Sequence, residues 1–133
     1  MLTEHWRLRA SNTQNQAITV TVTAKYFRHG TDGQLVWSAE QTLINAASVA
    51  ATTGTTVSST VTNTADKWTG MVITASFTAA VTTNGSGAVS LTLETSTDAG
   101  TTWPTQDLGR FVGGYTVTAA DTTNARRRSM LVR

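Results

Sequence analysis

Few side chains in this sequence could carry out metal, nucleophilic or acid–base chemistry. The histidines are His5 and His29, and the eight acidic residues are scattered singly, so the spacing predicts no metal site. Ser86 lies in a turn-like run, Asn84–Gly87, and not in a G-x-S-x-G nucleophile elbow. Glycoside hydrolysis needs two facing carboxylates, and nothing in the sequence nominates such a pair. We therefore predict no catalytic residue, no cofactor and no enzymatic activity.

One motif has a defined spacing. Ser96, Asp98, Gly100, Thr102 and Trp103 match the five fixed positions of S-x-D-x-G-x-T-W. Asp98 can accept hydrogen bonds from turn N–H groups, Gly100 tolerates positive φ, and Trp103 can pack under the turn. The run resembles the Asp-box that is repeated in sialidases and related propellers, where it is structural and lies away from the catalytic site. The resemblance implies a hairpin turn here and no sialidase activity.

Arginines cluster towards both ends of the chain. Arg126, Arg127 and Arg128 are consecutive, and Arg7 and Arg9 alternate with apolar residues. Because first and last strands often pair, these five residues are predicted to form one basic patch that binds a partner through carboxylates or phosphates. The alternative is an exposed edge strand whose charge prevents sheet-to-sheet aggregation.

The four tryptophans leave a second binding function open. An exposed aromatic ring can stack on a sugar, as in carbohydrate-binding modules. Burial is the more common position of tryptophan in a small β core, so we predict core packing as the default. The residues concerned are Trp6, Trp37, Trp68 and Trp103.

Composition favours strands throughout the chain. Of 133 residues, 39% are hydrophobic, 14% are charged and 29 are threonine. Threonine is β-branched and suits the solvent face of a pleated sheet. The absence of cysteine excludes a disulfide framework and a thiolate metal site. We predict a single antiparallel β-sandwich domain over residues 1–133, Ig-like or jelly-roll-like in type.

Period-2 alternation sets the predicted elements and their core faces. Ala46–Thr56 is predicted to be a loop, or weak strand plus loop. The predicted strands are Ala17–Arg28, Gln34–Ile44, Val57–Val61, Trp68–Ala79, Val89–Glu94, Leu108–Val112, Tyr115–Thr118 and Arg126–Arg133. The predicted core residues are Ile18, Val20, Val22, Ala24, Tyr26, Leu35, Trp37, Leu43, Met71, Ile73, Ala75 and Phe77.

Targeting signals and charge limit the location and the partners. The start, Met1–Trp6, has no basic region followed by an apolar one, so it does not match a secretory signal. No stretch approaches the roughly 20 apolar residues of a membrane span. We expect synthesis in the cytoplasm without a signal peptide, and no membrane partner. A net charge of +2 is low for a nucleic-acid module.

The stretch around the turn motif resembles small virion structural proteins of tailed bacteriophages. The runs Leu91–Asp98 and Thr101–Pro104 show the likeness best, within a Thr/Ala/Gly-rich, cysteine-free chain of matching length. The resemblance implies a β-sandwich assembly part of the virion, with a capsid decoration (cement) protein as first choice and a tail or fibre component next. It also implies protein partners, such as the major capsid protein, and a homo-oligomer, for example a trimer. A carbohydrate-binding module and a small glycosidase-like enzyme are the alternatives from other classes.

Overall fold

The computed structural model describes residues 4–79, 87–103, 110–115 and 126–132. Within these ranges the chain forms ten strands and no helix. The strands are β1 (His5–Asn12), β2 (Ile18–His29), β3 (Leu35–Trp37), β4 (Gln41–Val49), β5 (Gly54–Val57), β6 (Val61–Thr62), β7 (Gly70–Ala79), β8 (Val89–Ser96), β9 (Arg110–Tyr115) and β10 (Arg126–Val132).

The strands form two antiparallel sheets that pack as a β-sandwich. Sheet A has the order β5-β1-β8-β9, and β6 also pairs with β1. Sheet B has the order β10-β7-β2-β3, and β4 also pairs with β2. The predicted β-sandwich is therefore confirmed.

Alternation along the strands builds one core between the sheets. On β2, residues 18, 20, 22, 24 and 26 are buried, while the Thr and Lys residues between them face outwards. The same pattern buries Met71, Ile73, Ala75 and Phe77 on β7, as predicted. Trp6 and Leu8 contribute the facing layer from sheet A, in the same apolar cluster.

Each sheet has a central strand that pairs along one edge with two successive strands. In sheet B, β2 pairs with β4 over one part and with β3 over another, and Ser38 lies between them. Ser38 donates its N–H to the Tyr26 carbonyl, and its hydroxyl accepts the Tyr26 N–H at 2.9 Å. In sheet A, Ser58 makes the same two bonds to Leu8 between β5 and β6. The serines thus satisfy backbone groups that a strand residue would otherwise pair with.

Three sequence predictions differ from the structure. The predicted strand Gln34–Ile44 is two strands, and its residues Leu35 and Trp37 are exposed on β3 instead of buried. Only Leu43 of its three predicted core residues packs against the core. The predicted strand Val57–Val61 is interrupted, because Val57 ends β5 and Val61 begins β6.

Other predicted boundaries were partly right. The predicted loop Ala46–Thr56 contains the end of β4 and most of β5 around a turn. The last predicted strand corresponds to β10. The turn around residue 84, with Ser86, and the predicted strand ends at 108–109 and 116–118 lie outside the described residues.

Candidate functional site

An apolar groove lies on the outer face of sheet B, at the end where β3 pairs. Leu35, Trp37 and Leu131 form its walls and are 50%, 44% and 51% exposed. Phe27 and Val72 also line it, and its volume is about 730 Å³. We call this the Trp37 groove. Its exposed aliphatic and aromatic side chains differ from the Thr-rich remainder of the outer face, and clustered exposed apolar groups of this kind mark interaction sites.

Strand register places the groove's aromatic residues. Phe27 and Trp37 are direct partners across β2 and β3, and their ring centroids are 5.2 Å apart. On the other side of β2, Phe27 is paired with Gly70 of β7. Because glycine has no side chain, the Phe27 ring lies down over the Gly70 backbone, where it is only 8% exposed. The Phe27 ring therefore packs between the Gly70 backbone and the Trp37 ring.

A smaller polar depression adjoins the groove and shares Trp37 with it. This depression, with a volume of about 390 Å³, is lined by Thr23, Lys25, Glu40 and Thr74 in addition to Trp37 and Val72. Its side chains offer hydrogen-bond donors and acceptors and both signs of charge. Trp37 therefore separates an apolar surface from a polar one.

A basic depression meets the other end of the Trp37 groove. Arg28, Lys67 and Asp66 line it with Val36, and its volume is about 530 Å³. His29 and Thr69 line both this depression and the groove. The two surfaces therefore meet at these residues, although Arg28 and Val36 lie on the opposite face of the β2–β3 hairpin from Phe27 and Trp37.

Arg28 is held in a defined position by the residues that precede β7. Its guanidinium lies 5.1 Å from the centroid of the Trp68 ring, a cation–π geometry. It also donates from Nη1 to the Asp66 carbonyl at 2.7 Å. The Trp68 ring also stacks on the Tyr26 ring, with the ring centroids 6.1 Å apart. Burial raises the pKa of the Tyr26 phenol to about 12. The side chain of Asn63 closes the loop between residues 63 and 68. It donates to the Trp68 carbonyl and accepts the Trp68 N–H.

The Asp-box-like motif forms the turn that its spacing predicts. Asp98 accepts hydrogen bonds from Ser96 Oγ, Thr102 N–H and Thr102 Oγ1. Gly100 has φ of 86° and donates its N–H to Ser96 Oγ. Trp103 lies beside Gly100 and stacks on the Arg7 guanidinium, 4.2 Å from the ring centroid. The turn is therefore fixed by its own side chains, and it covers Arg7 on the outer face of sheet A.

The same hydrogen bonds lower the pKa of Asp98. The Thr102 hydroxyl and N–H contribute most, followed by the Ser96 hydroxyl, because each favours the ionised carboxylate. A lowered folded-state pKa means that Asp98 stabilises the fold above its unfolded pKa of about 3.9. That stabilisation is lost as the pH falls through the folded-state value.

Asp98→Asn should therefore lower the melting temperature at neutral pH, with a difference from wild type that shrinks below about pH 4. Thermal melts of both proteins between pH 2 and 7 test this. Asp32→Asn is the control, because Asp32 accepts bonds from exposed Thr31 and Gln34 in another turn. An Asp98→Asn difference that is independent of pH would contradict the assignment.

The structure separates the two groups of arginines predicted to form one patch. Arg7 and Arg9 lie on β1 in sheet A, whereas Arg126–Arg128 lie on β10 in sheet B. β10 pairs with β7 and β1 with β5, β6 and β8, so the expected pairing of first and last strands is wrong. The physical reason is that the two strands complete different layers of the sandwich.

Arg7 and Arg9 are also engaged within the fold. Each places its Nε 2.6 Å from a carboxylate oxygen of Glu94, which faces them from β8. In contrast, Arg127 is exposed on β10, which is the terminal strand of sheet B within the described residues. Partner binding by Arg126, Arg127 and Arg128 stays a prediction, and so does their role as a charged edge.

The four tryptophans have different environments. Trp6 is buried, as predicted, and packs edge-on against Tyr26. Trp68 and Trp103 are partly buried, each against an arginine. Trp37 is the exposed one. The sequence does carry a signal for its site, since the predicted hairpin brings Trp37 opposite Tyr26 and Phe27, an aromatic pair near the end of β2.

Three further residues were not predicted as site residues. Glu94 of β8 binds both Arg7 and Arg9 on sheet A, away from the groove. Lys67 lines the basic depression. His29 is exposed and lines both this depression and the Trp37 groove.

Within the described ranges, no three His, Asp or Glu side chains cluster in a way that could hold a metal ion. The same part of the chain contains no helix long and apolar enough to cross a membrane.

No protein-family model, curated protein or solved structure matches this chain.

Proposed function

We propose that this chain is a non-enzymatic structural protein of a tailed-bacteriophage virion that attaches to other virion proteins through the Trp37 groove. Decoration of the capsid is the specific role we propose, with a tail or fibre position as the alternative within the same class. In this proposal the chain sits on the assembled particle as a homo-oligomer, for example a trimer.

The observation that supports attachment is the exposure of three large apolar side chains on one groove. Leu35, Trp37 and Leu131 together would be costly to leave in water, at about 25 cal/mol for each Å² of apolar surface. Tryptophan is also enriched among the residues that contribute most to protein interfaces. The virion context is supported by the family resemblance of the chain around Leu91–Pro104.

Removing the Trp37 side chain should weaken attachment to particles by more than about tenfold, because it removes the central aromatic contact. Particles stripped of this protein are incubated with wild type or with Trp37→Ser, and the bound fraction is measured by co-sedimentation. The stability of the particles to heat or chelator is measured in parallel, and it should recover only with wild type.

Val57→Ser is the matched control, since Val57 is 43% exposed but lies on β5 of sheet A. This variant should bind like wild type. Recovery of the chain only as a free monomer, without association with particles, would refute the proposal. Equal binding by Trp37→Ser would refute the groove as the attachment site.

Carbohydrate binding is a second candidate, favoured by the polar depression beside Trp37. A sugar could stack on the exposed indole while its hydroxyls bond to Lys25, Glu40 or Thr74. A glycan array probed with wild type and Trp37→Ser tests this. Binding that depends on Trp37 would support the module, and an array without signal would count against it.

A further inference from the structure

We propose that the Trp37 groove and the basic depression together bind one extended segment of a partner protein, whose apolar side chains enter the groove and whose carboxylate lies over Arg28 and Lys67. This inference rests on the proposed function, since it names the chemistry of the partner at the same site.

Continuity is the first argument for a single ligand. His29 and Thr69 line both surfaces, so the groove and the basic depression meet at the edge of the β2–β3 hairpin, although they open on its opposite faces. A single extended segment would reach both by passing over this edge. Beyond Phe27, β2 is paired within the described residues only with β3, because β7 begins at Gly70 opposite Phe27. The end of the β2–β3 hairpin therefore projects past the sheet, with the groove and the basic depression meeting beside it.

The lining of the groove favours peptide side chains over sugars. Phe27, Leu35, Val72 and Leu131 offer no side-chain hydrogen bonds, and sugar hydroxyls buried against them would lose bonds to water. Aliphatic or aromatic side chains gain by burial in the same place. An extended segment presents alternate side chains to one surface, so it can fill the groove with every second residue.

Charge complementarity identifies the other half of the ligand. Arg28 and Lys67 are opposed by Asp66, so these three side chains of the depression sum to one net positive charge. Arg28 donates to the Asp66 carbonyl, and its other guanidinium N–H groups bond to no described residue. A guanidinium held by a ring and one hydrogen bond is preorganised for a carboxylate. Lys67 is exposed beside it and adds to the attraction.

A random 12-residue peptide library is the probe. It is selected on wild type, and the enriched peptides are then measured by fluorescence anisotropy against each variant. Enriched peptides should alternate apolar residues and carry Asp or Glu. Their affinity should fall more than about tenfold with Trp37→Ser. It should fall about two- to fivefold with Lys67→Gln, as expected for an exposed charge pair. Replacing the acidic residues of the peptide with their amides should have a similar effect.

One variant separates local from general effects. Val57→Ser removes an exposed apolar group from sheet A. It should leave peptide affinity unchanged. Arg28→Gln should weaken binding as Lys67→Gln does. Because Arg28 also packs on Trp68, the exposed Lys67 variant decides the test if Arg28→Gln unfolds.

Several results would overturn the inference. They are failure to enrich any peptide, enrichment without acidic residues, or binding that is insensitive to Lys67→Gln. Tighter binding of a mixed-sequence oligonucleotide or a glycan at these residues would also overturn it. Particle attachment lost in Trp37→Ser but unchanged in Lys67→Gln and Arg28→Gln would reject the acidic segment and leave the proposed function standing.

Discussion

Replacing Gly70 with alanine should destabilise the fold by about 3 kcal/mol and disturb the Trp37 groove at the same time. A Cβ at this position would overlap the Phe27 ring and would lie 2.6 Å from the Val132 carbonyl oxygen. The ring cannot move without leaving its place under Trp37, and the carbonyl belongs to the backbone of β10. Because of both steric clashes, we expect the loss in free energy of unfolding to lie at the upper end of the usual range for overpacking.

Urea denaturation followed by circular dichroism measures the stability change, and tryptophan fluorescence reports the groove. Gly30→Ala is the control, because a Cβ there would approach no atom closer than Val36 Cγ2 at 3.3 Å. Gly30→Ala should lower the free energy of unfolding by much less than Gly70→Ala does. If Gly70→Ala and Gly30→Ala unfold at the same urea concentration, the close packing of Phe27 on Gly70 is wrong.

Glu94→Ala should lower the free energy of unfolding by about 2 to 3 kcal/mol. The Glu94 side chain is 8% exposed and lies between Arg7 and Arg9, whose side chains are 19% and 38% exposed. Its removal leaves two neighbouring guanidinium groups without their shared counter-charge. The loss should be smaller than for a fully buried pair, because Arg9 can turn towards water.

The matched control is Glu40→Ala, an exposed acid on the outer face of sheet B, which should change stability by less than about 0.5 kcal/mol. The double variant Arg7→Met with Glu94→Met should recover most of the loss, since it removes a buried charge together with its partner. A double variant as unstable as Glu94→Ala would show that lost packing, and not an unpaired charge, causes the effect.

Local patterns predicted the strands and the turn, because both are determined by neighbouring residues. Alternation identified the buried faces of β2 and β7, and the Ser96–Trp103 spacing identified a turn whose hydrogen bonds involve only its own residues. Alternation does not say whether a face will be covered, however. Leu35 and Trp37 share a face as predicted, but their register opposite His29 and Phe27 puts that face on the outer side of sheet B, away from the core.

The assembly of the candidate site depends on distant pairings that no local pattern specifies. Leu131 reaches the Trp37 groove because β10 joins β7, and Lys67 reaches Arg28 because a loop closes before β7. The expected pairing of first and last strands failed for the same reason. Choosing between sheets requires the packing of all strands at once, so a basic patch shared by Arg7 and Arg127 could not be checked from the sequence.

The position of β1 has a consequence for the order in which the molecule forms during synthesis. β1 is made first, yet it lies inside sheet A, where His5 faces Ser96 of β8. At about 5–20 residues per second, β1 waits roughly 4–20 s for that partner to be made. β2, β4 and β7 are all complete by residue 79, so we expect these three strands of sheet B to assemble first and to hold their apolar face open for β1, with β10 added last. Hydrogen exchange on nascent chains of increasing length would show this order, with the β1 amides that face β8 protected only after β8 has emerged.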